Sequence, residues 1–147
     1  MVSIMLGTND AKISENISID DYKANIETMI TSLKNAGIKK IILNEPPYLD
    51  ITRFSSNFDN SSLIKLMGYS VVLGELADGE TVIIGDTQTY EYFENHLSEL
   101  GDGAHPNSLG HQHLGEFRAE AIKSAIEYQI NPDHHFISGD SHTLQTT

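Results

Sequence analysis

The stretch "VSIMLGTND" (Val2–Asp10) decides how the rest of the chain is read. Val2 to Leu6 form a short apolar run closed by Gly7, the pattern of a buried strand. The glycine permits a sharp exit, and Asn9 and Asp10 follow at once. Asn and Asp are common turn formers, because their side chains bond the local backbone. An Asn amide on such a turn can also point over the strand end as a donor. Aimed at a developing oxyanion, such a donor is worth about 3 kcal/mol. Both readings stay open for this segment taken alone.

Outward from that stretch, strand and helix patterns alternate. Ser18-x-x-Asp21 predicts a helix start by the capping-box pattern, with Asp in place of Glu. Tyr22, Ile26, Met29, Ile30 and Leu33 share one helical face, and Gly37 ends the helix. "IKKIILN" (Ile38–Asn44) predicts a second strand, stopped by Pro46 and Pro47. A Ser/Asn-rich loop spans Ser55 to Ser62. Leu63 to Ala77 has helical character despite Gly68 and Gly74. "TVIIGD" (Thr81–Asp86) predicts a third strand, and Thr89 to Leu100 a helix or helical turn. A last helix is expected from Ser108 to Tyr128, with Leu114, Phe117, Ala121 and Ala125 inward. Such alternation implies βαβ units and a parallel sheet. Ligand sites in these sheets lie beyond the carboxyl ends of the strands. That rule selects residues 7–10, 44–48, 86 onward, and the loop 101–107.

Bulk properties narrow the function. The 147 residues are the size of one domain, with 39% hydrophobic content to build its core. A net charge of -12 argues against a nucleic-acid partner, which needs clustered Lys and Arg. Solubility is the plainer reading of that acidity. With no cysteine there is no disulfide and no thiolate chemistry. No run approaches the ~20 apolar residues of a membrane span. The first residues lack a basic segment followed by a long apolar one, so no signal peptide is read in this chain. His111 and His113 lie two apart on a predicted helix and face different ways, and adjacent His134 and His135 are equally poor ligand geometry. Neither a metal nor any other cofactor is expected.

Asp102-Gly-Ala-His105-Pro106 carries the strongest chemistry. A carboxylate three residues before an imidazole on a tight turn can accept its ring N–H. That fixes the tautomer, stabilises the imidazolium, and makes the histidine a competent general base. Pro106 and Asn107 then stiffen the turn and start the helix. The alternative is an Asp/His-rich loop that only caps that helix. Gly85-Asp86-Thr87 also follows a strand and mimics a Gly-Asp-Ser turn, with a plain turn and a threonine nucleophile as its two readings.

Together these segments resemble the SGNH (GDSL-type) esterases and lipases. "VSIMLGTND" is similar to that family's strand and Gly-x-Asn-Asp block. "DGAHPNSLGHQHLGE" (Asp102–Glu116) is similar to its Asp-x-x-His-Pro block and following helix. The resemblance covers Val2 to about Tyr128. It implies a three-layer α/β/α fold of flavodoxin-like type and hydrolysis of acyl esters by a serine nucleophile. Carried over by position, His105 is the base, Asp102 its orienter and Asn9 an oxyanion donor. The family usually has an aspartate at the strand end where Asp86 stands, which implies a turn at Gly85-Asp86-Thr87 rather than a threonine nucleophile. The family's Gly-Asp-Ser nucleophile block and the block with its second oxyanion glycine have no counterpart ahead of Val2.

A Gly139-Asp140-Ser141 turn does occur, in the tail. It follows the apolar "HFIS" (His135–Ser138), a candidate strand. The family's strand order, 2-1-3-4-5, leaves "VSIML" with an unpaired hydrophobic edge when strand 1 is absent, and such edges invite pairing. The chain is therefore expected to comprise an SGNH-like domain over 1–130 and a tail over 131–147. That tail would act as a permuted first strand, parallel to "VSIML", and deliver Ser141 to the catalytic edge. The Ser141 N–H would then join Asn9 in the oxyanion hole. The expected substrate is a short acyl or acetyl ester, including one on a carbohydrate. The competing expectation is an incomplete SGNH-like module that pairs its open edge with a partner chain or with itself. A third is that the tail is a loose end or linker.

Overall fold

The computed structural model describes residues 1–130, with side chains through 127. Three strands, β1 (Val2–Met5), β2 (Ile41–Asn44) and β3 (Val82–Ile84), pair in parallel in the order β1-β2-β3. The connecting helices are α1 (Ile19–Asn35) and α2 (Asn60–Leu76). After β3 come a short α3 (Thr89–Asn95), a 3-10 turn (Leu97–Glu99) and the long α4 (Ser108–Ile130).

The central strand explains the layers. Ile41, Ile42 and Leu43 are fully buried, each contributing about 1.5–3 kcal/mol by leaving water. Ile41 and Leu43 join one core with Tyr22, Ile26 and Ile30 of α1 and Leu66, Tyr69, Val72 and Leu73 of α2. Ile42 points to the opposite face, as strand alternation requires, where α4 packs on β2. Helices thus cover both faces of a parallel sheet, the expected α/β/α arrangement.

The predicted elements are all present, with shifted ends. Ser18 caps α1 by accepting the Asp21 N–H, as expected, but its hydroxyl in turn donates to the Asp21 carboxylate at 2.7 Å. The shorter Asp thus bonds the cap side chain, where a Glu would reach the cap's backbone. β2 begins at Ile41, three residues later than read. α2 begins earlier, because Asp59 accepts the Ser61 and Ser62 N–H groups and Ser62 returns the bond. Gly68 sits inside α2 where a side chain would overlap Ile19. Close packing therefore explains a residue that otherwise weakens a helix.

β1 departs from the reading of a buried strand. Val2 and Ile4 are half-buried, whereas Met5 and Leu6 are 40% and 46% exposed. The reason is the sheet order: among the described residues β1 has a neighbour only on the β2 side. Beside it lies an open groove of about 520 Å³, walled by β1 with Met29 and Leu33 of α1. The tail proposed for this slot, including Ser141, falls outside the described residues.

Candidate active site

The carboxyl ends of all three strands are braced by Asn44. Its amide donates to Ser3 Oγ and to the Ile4 carbonyl, both at 2.9 Å, and its Oδ1 accepts the Asp86 N–H at 3.0 Å. One polar side chain at the end of an apolar strand thus ties β1, β2 and the exit of β3 together. Gly85 lies where any side chain would overlap Asn44. Asp86 is buried and spent on structure: it accepts the Gln88 and Thr89 N–H groups and the Thr89 hydroxyl, capping α3. Arg118 of α4 lies 3.2 Å from it and also donates to the Glu45 carbonyl. Thr87 is exposed beside this cap, in keeping with a turn.

The Gly7 turn rests on two stacked tyrosines. Tyr22 and Tyr69 lie 4.0 Å apart with an interplanar angle of 16°. Their hydroxyls donate to the carbonyls of Leu6 and Ile17. Burial first, and the nearby Asp10 charge second, raise both phenols, Tyr69 to about 12. Gly7 has φ +124, and a Cβ there would sit 3.1 Å from the Tyr69 ring. The turn continues with the Ala11 N–H on the Gly7 carbonyl and the Lys12 N–H on the Asn9 carbonyl. Asn9 itself is exposed at the carboxyl end of β1, and among the described residues its amide makes no hydrogen bond.

Asp102 and His105 are brought together as the spacing predicts. His105 Nδ1 is 2.7 Å from Asp102 Oδ2. Oδ1 of the same carboxylate accepts the Ala104 N–H at 2.9 Å and the His105 N–H at 2.8 Å. The His105 side-chain bond, then those backbone bonds, hold the Asp102 carboxyl far below its ordinary range. An ionised carboxylate can only accept, so the shared proton sits on Nδ1. In the neutral ring Nε2 is then the free basic nitrogen. The imidazole is 77% exposed and makes no other hydrogen bond among the described residues, so Nε2 is open to solvent.

The turn carrying this pair is rigid. Ala104 is buried in the main core, and Gly103 takes φ +97, which suits glycine. The Gly101 N–H donates to the His105 carbonyl, and the Asn107 N–H to the Glu99 carbonyl, both at 2.7 Å. Asn107 Oδ1 accepts the Leu109 and Gly110 N–H groups and so caps α4. The helix-capping and base-positioning readings of this loop are therefore compatible, because different residues do each. No hydrogen bond joins Asn9 to Asp102 or His105 among the described residues, although topology puts them on one sheet edge.

His113 is engaged elsewhere. It lies 2.8 Å from Glu99 and 2.6 Å from the Tyr92 hydroxyl, tying α4 to the 3-10 turn. No group of three or more metal-capable side chains occurs among the described residues.

This arrangement matches a known family. Residues 1–117 match the GDSL-like lipases/acylhydrolases. The chain belongs to that family. A crystal structure of the lipase/acylhydrolase from Enterococcus faecalis has the same fold, with a TM-score of 0.63 and 25% identity. The likeness covers 83% of this chain but 60% of that one. No curated protein matches the chain. The GDSL-like match spans the Gly7 turn, the whole sheet and the Asp102–His105 turn, so the family frame includes each of them. No described helix is long and apolar enough to cross a membrane.

Asn44 lies at the start of the 44–48 segment selected from the sequence, with no role assigned to it, and neither Asp50 nor Arg53 is singled out there. Asn44 was visible as a polar residue closing an apolar strand. Asp50 and Arg53 carry the i, i+3 opposite-charge spacing, in the stretch between Pro47 and the Ser55–Ser62 loop to which the sequence assigns no element.

Proposed function

We propose that this chain takes part in hydrolysis of short acyl or acetyl esters, including those on carbohydrates. His105 is the general base, Asp102 its orienter and Asn9 an oxyanion donor. The observation that carries this reading is the 2.7 Å Asp102–His105 bond on an anchored turn, with Nε2 open to a substrate. Ser141 is the proposed nucleophile, on the strength of its Gly-Asp-Ser sequence. Its Oγ attacks the ester carbonyl while its proton passes to His105 Nε2. That proton then leaves with the alcohol. Water, deprotonated by His105, attacks the acyl-serine, and the acid departs as Ser141 is restored.

Chain length supports delivery of Ser141 in the same molecule, with little to spare. α4 starts beside His105 and carries the chain away for 23 residues, about 34 Å. The eleven residues Asn131–Ser141 span about 37 Å when fully extended. Replacing Ser141 with Ala is expected to abolish turnover of an activated acetate ester, and undiminished turnover would remove Ser141 from the mechanism.

A second reading is favoured by one observation, the exposed apolar edge of β1 beside its groove. In it the chain is a catalytically incomplete module that pairs this edge with a partner chain or a second copy. A fluorophosphonate label with peptide mapping, read beside the solution mass, separates the two. Label on Ser141 in a monomer supports hydrolysis, and no label on an obligate oligomer supports assembly.

A further inference from the structure

The His105 turn is gripped from outside by the segment that follows β2. Leu49 is fully buried and Asp50 nearly so, which fixes this segment against the core. The Asp50 N–H donates to the Gly103 carbonyl at 2.8 Å, in the middle of the turn. Gly103 lies flat on the segment: a Cβ there would stand 2.9 Å from the Asp50 carbonyl and 3.1 Å from Arg53 Cβ. Arg53 holds the approach to the turn. Its Nη2 donates to the carbonyls of Leu97, at 2.8 Å, and of Leu100. Its Nε donates to Asp50 Oδ2 at 2.8 Å. Asp50 Oδ1 is meanwhile taken by the Thr52 N–H and hydroxyl, so the carboxylate cannot swing away.

We infer that Arg53, locked by Asp50, is a positioning residue for His105. The imidazole is too exposed for packing to orient it, so its direction is set by the backbone of its own turn and by Asp102. That backbone is fixed at Leu97 and Leu100 by Arg53 and at Gly103 by Asp50. A planar guanidinium is needed, because one group must meet two carbonyls and a carboxylate at once. A lysine ammonium on its flexible stem cannot hold that fork. The inference rests on His105 being the base, but its primary readout does not.

The test is the His105 Nδ1–H resonance in isotope-labelled protein, followed for solvent exchange in Arg53→Ala and Arg53→Lys. In Arg53→Ala the resonance is expected to be lost to fast exchange, while amide signals of β1, β2 and α1 stay in place. Arg53→Lys is expected to recover it only in part. Should Arg53→Ala destabilise the fold, Gly103→Ala wedges the turn off the Asp50–Arg53 segment, the same contact that Arg53 maintains, and should give the same loss. A wild-type resonance in folded Arg53→Ala, or full recovery with Lys, overturns the inference. Where esterase activity is measurable, kcat should fall by about 10²-fold at unchanged KM, the cost of a misplaced reacting group. Loss of the resonance in a chain without esterase activity would leave the positioning role standing and defeat the proposed hydrolysis instead.

Discussion

Replacing Asp102 with Asn separates the two jobs of that carboxylate. Oδ1 holds the turn through two backbone N–H groups, and Oδ2 holds the imidazole. An Asn side chain can keep its oxygen on the Ala104 and His105 N–H groups. Its NH₂ then faces Nδ1, and two donors cannot meet. The ring must place its lone pair on Nδ1 and its proton on Nε2. The turn therefore survives while the nitrogen facing the substrate ceases to be a base. General-base catalysis is worth about 10²–10⁴-fold, and loss of the tautomer should remove most of it. Hydrolysis of an activated acetate ester by purified Asp102→Asn protein should fall by at least 10²-fold. In the same sample the ring ¹⁵N shifts should report protonated Nε2, and the thermal midpoint should stay near that of the parent. Asp102→Ala should lose activity equally but also loosen the turn, because Oδ1 is gone. The reasoning fails if Asp102→Asn retains most of its activity while its imidazole shows the changed tautomer.

Two further outcomes are expected. Asp78 accepts the Glu80, Thr81 and Val82 N–H groups and pairs with Lys34. Burial opposes the shift, but the Val82, Glu80, Lys34 and Thr81 donors overcome it and draw the carboxyl down to about 2 from its ordinary 3.8. A depressed carboxyl stabilises the fold above its unfolded value, and that stability drains as pH falls from about 4 toward 2. With 44% of the side chain exposed, solvent screening leaves about 1 kcal/mol of the roughly 2.5 kcal/mol that the shift would carry unscreened. Urea melts of parent and Asp78→Asn protein across that range should converge at the acid end, and a constant gap would refute the linkage. Deleting Asp133 to His135 shortens the tail's reach to about 27 Å, well under the ~34 Å of α4. Fluorophosphonate labelling of Ser141 should vanish in that deletion, and undiminished labelling would mean that Ser141 reaches no His105 in its own chain.

The periodic patterns made the layers and the parallel sheet legible, because Ile41–Leu43 and the α1 face obey simple burial rules. The Asp102–His105 pair was legible for a local reason: two residues three positions apart, with Gly103 between them, meet readily across a tight turn. Element ends were less so. The start of α2 depends on the reciprocal Asp59–Ser62 bond within a run of Ser and Asn that reads as loop. The exposure of β1 depends on what stands beside it, which no strand's own residues state. Arg53 was beyond reach because its partners, Leu97 and Leu100, are more than forty positions away and offer only backbone carbonyls. Its Asp50 partner is visible in the i, i+3 spacing, but a side chain that grips distant backbone leaves no complementary residue there to find.

The two proposed readings meet at one physical requirement. Preorganised donors and a general base gain their catalytic worth in a site from which water is excluded. Here His105 is 77% exposed and Asp102 47% exposed, so water competes with the bond between them. The slot beside β1 runs along Val2–Leu6, and Asn9 follows just past its carboxyl end. A strand that fills that slot and ends beside the pair would wall it from water, lower the local dielectric and strengthen its interaction. In the hydrolytic reading, edge pairing would then be a condition of activity. A chain whose β1 edge stays bare should fail to turn over esters even with its base correctly oriented, because Ser141 is then not delivered. Activity that rises as the edge becomes covered, by this chain's tail or by the tail of a second copy carrying its own Ser141, follows from the same reasoning.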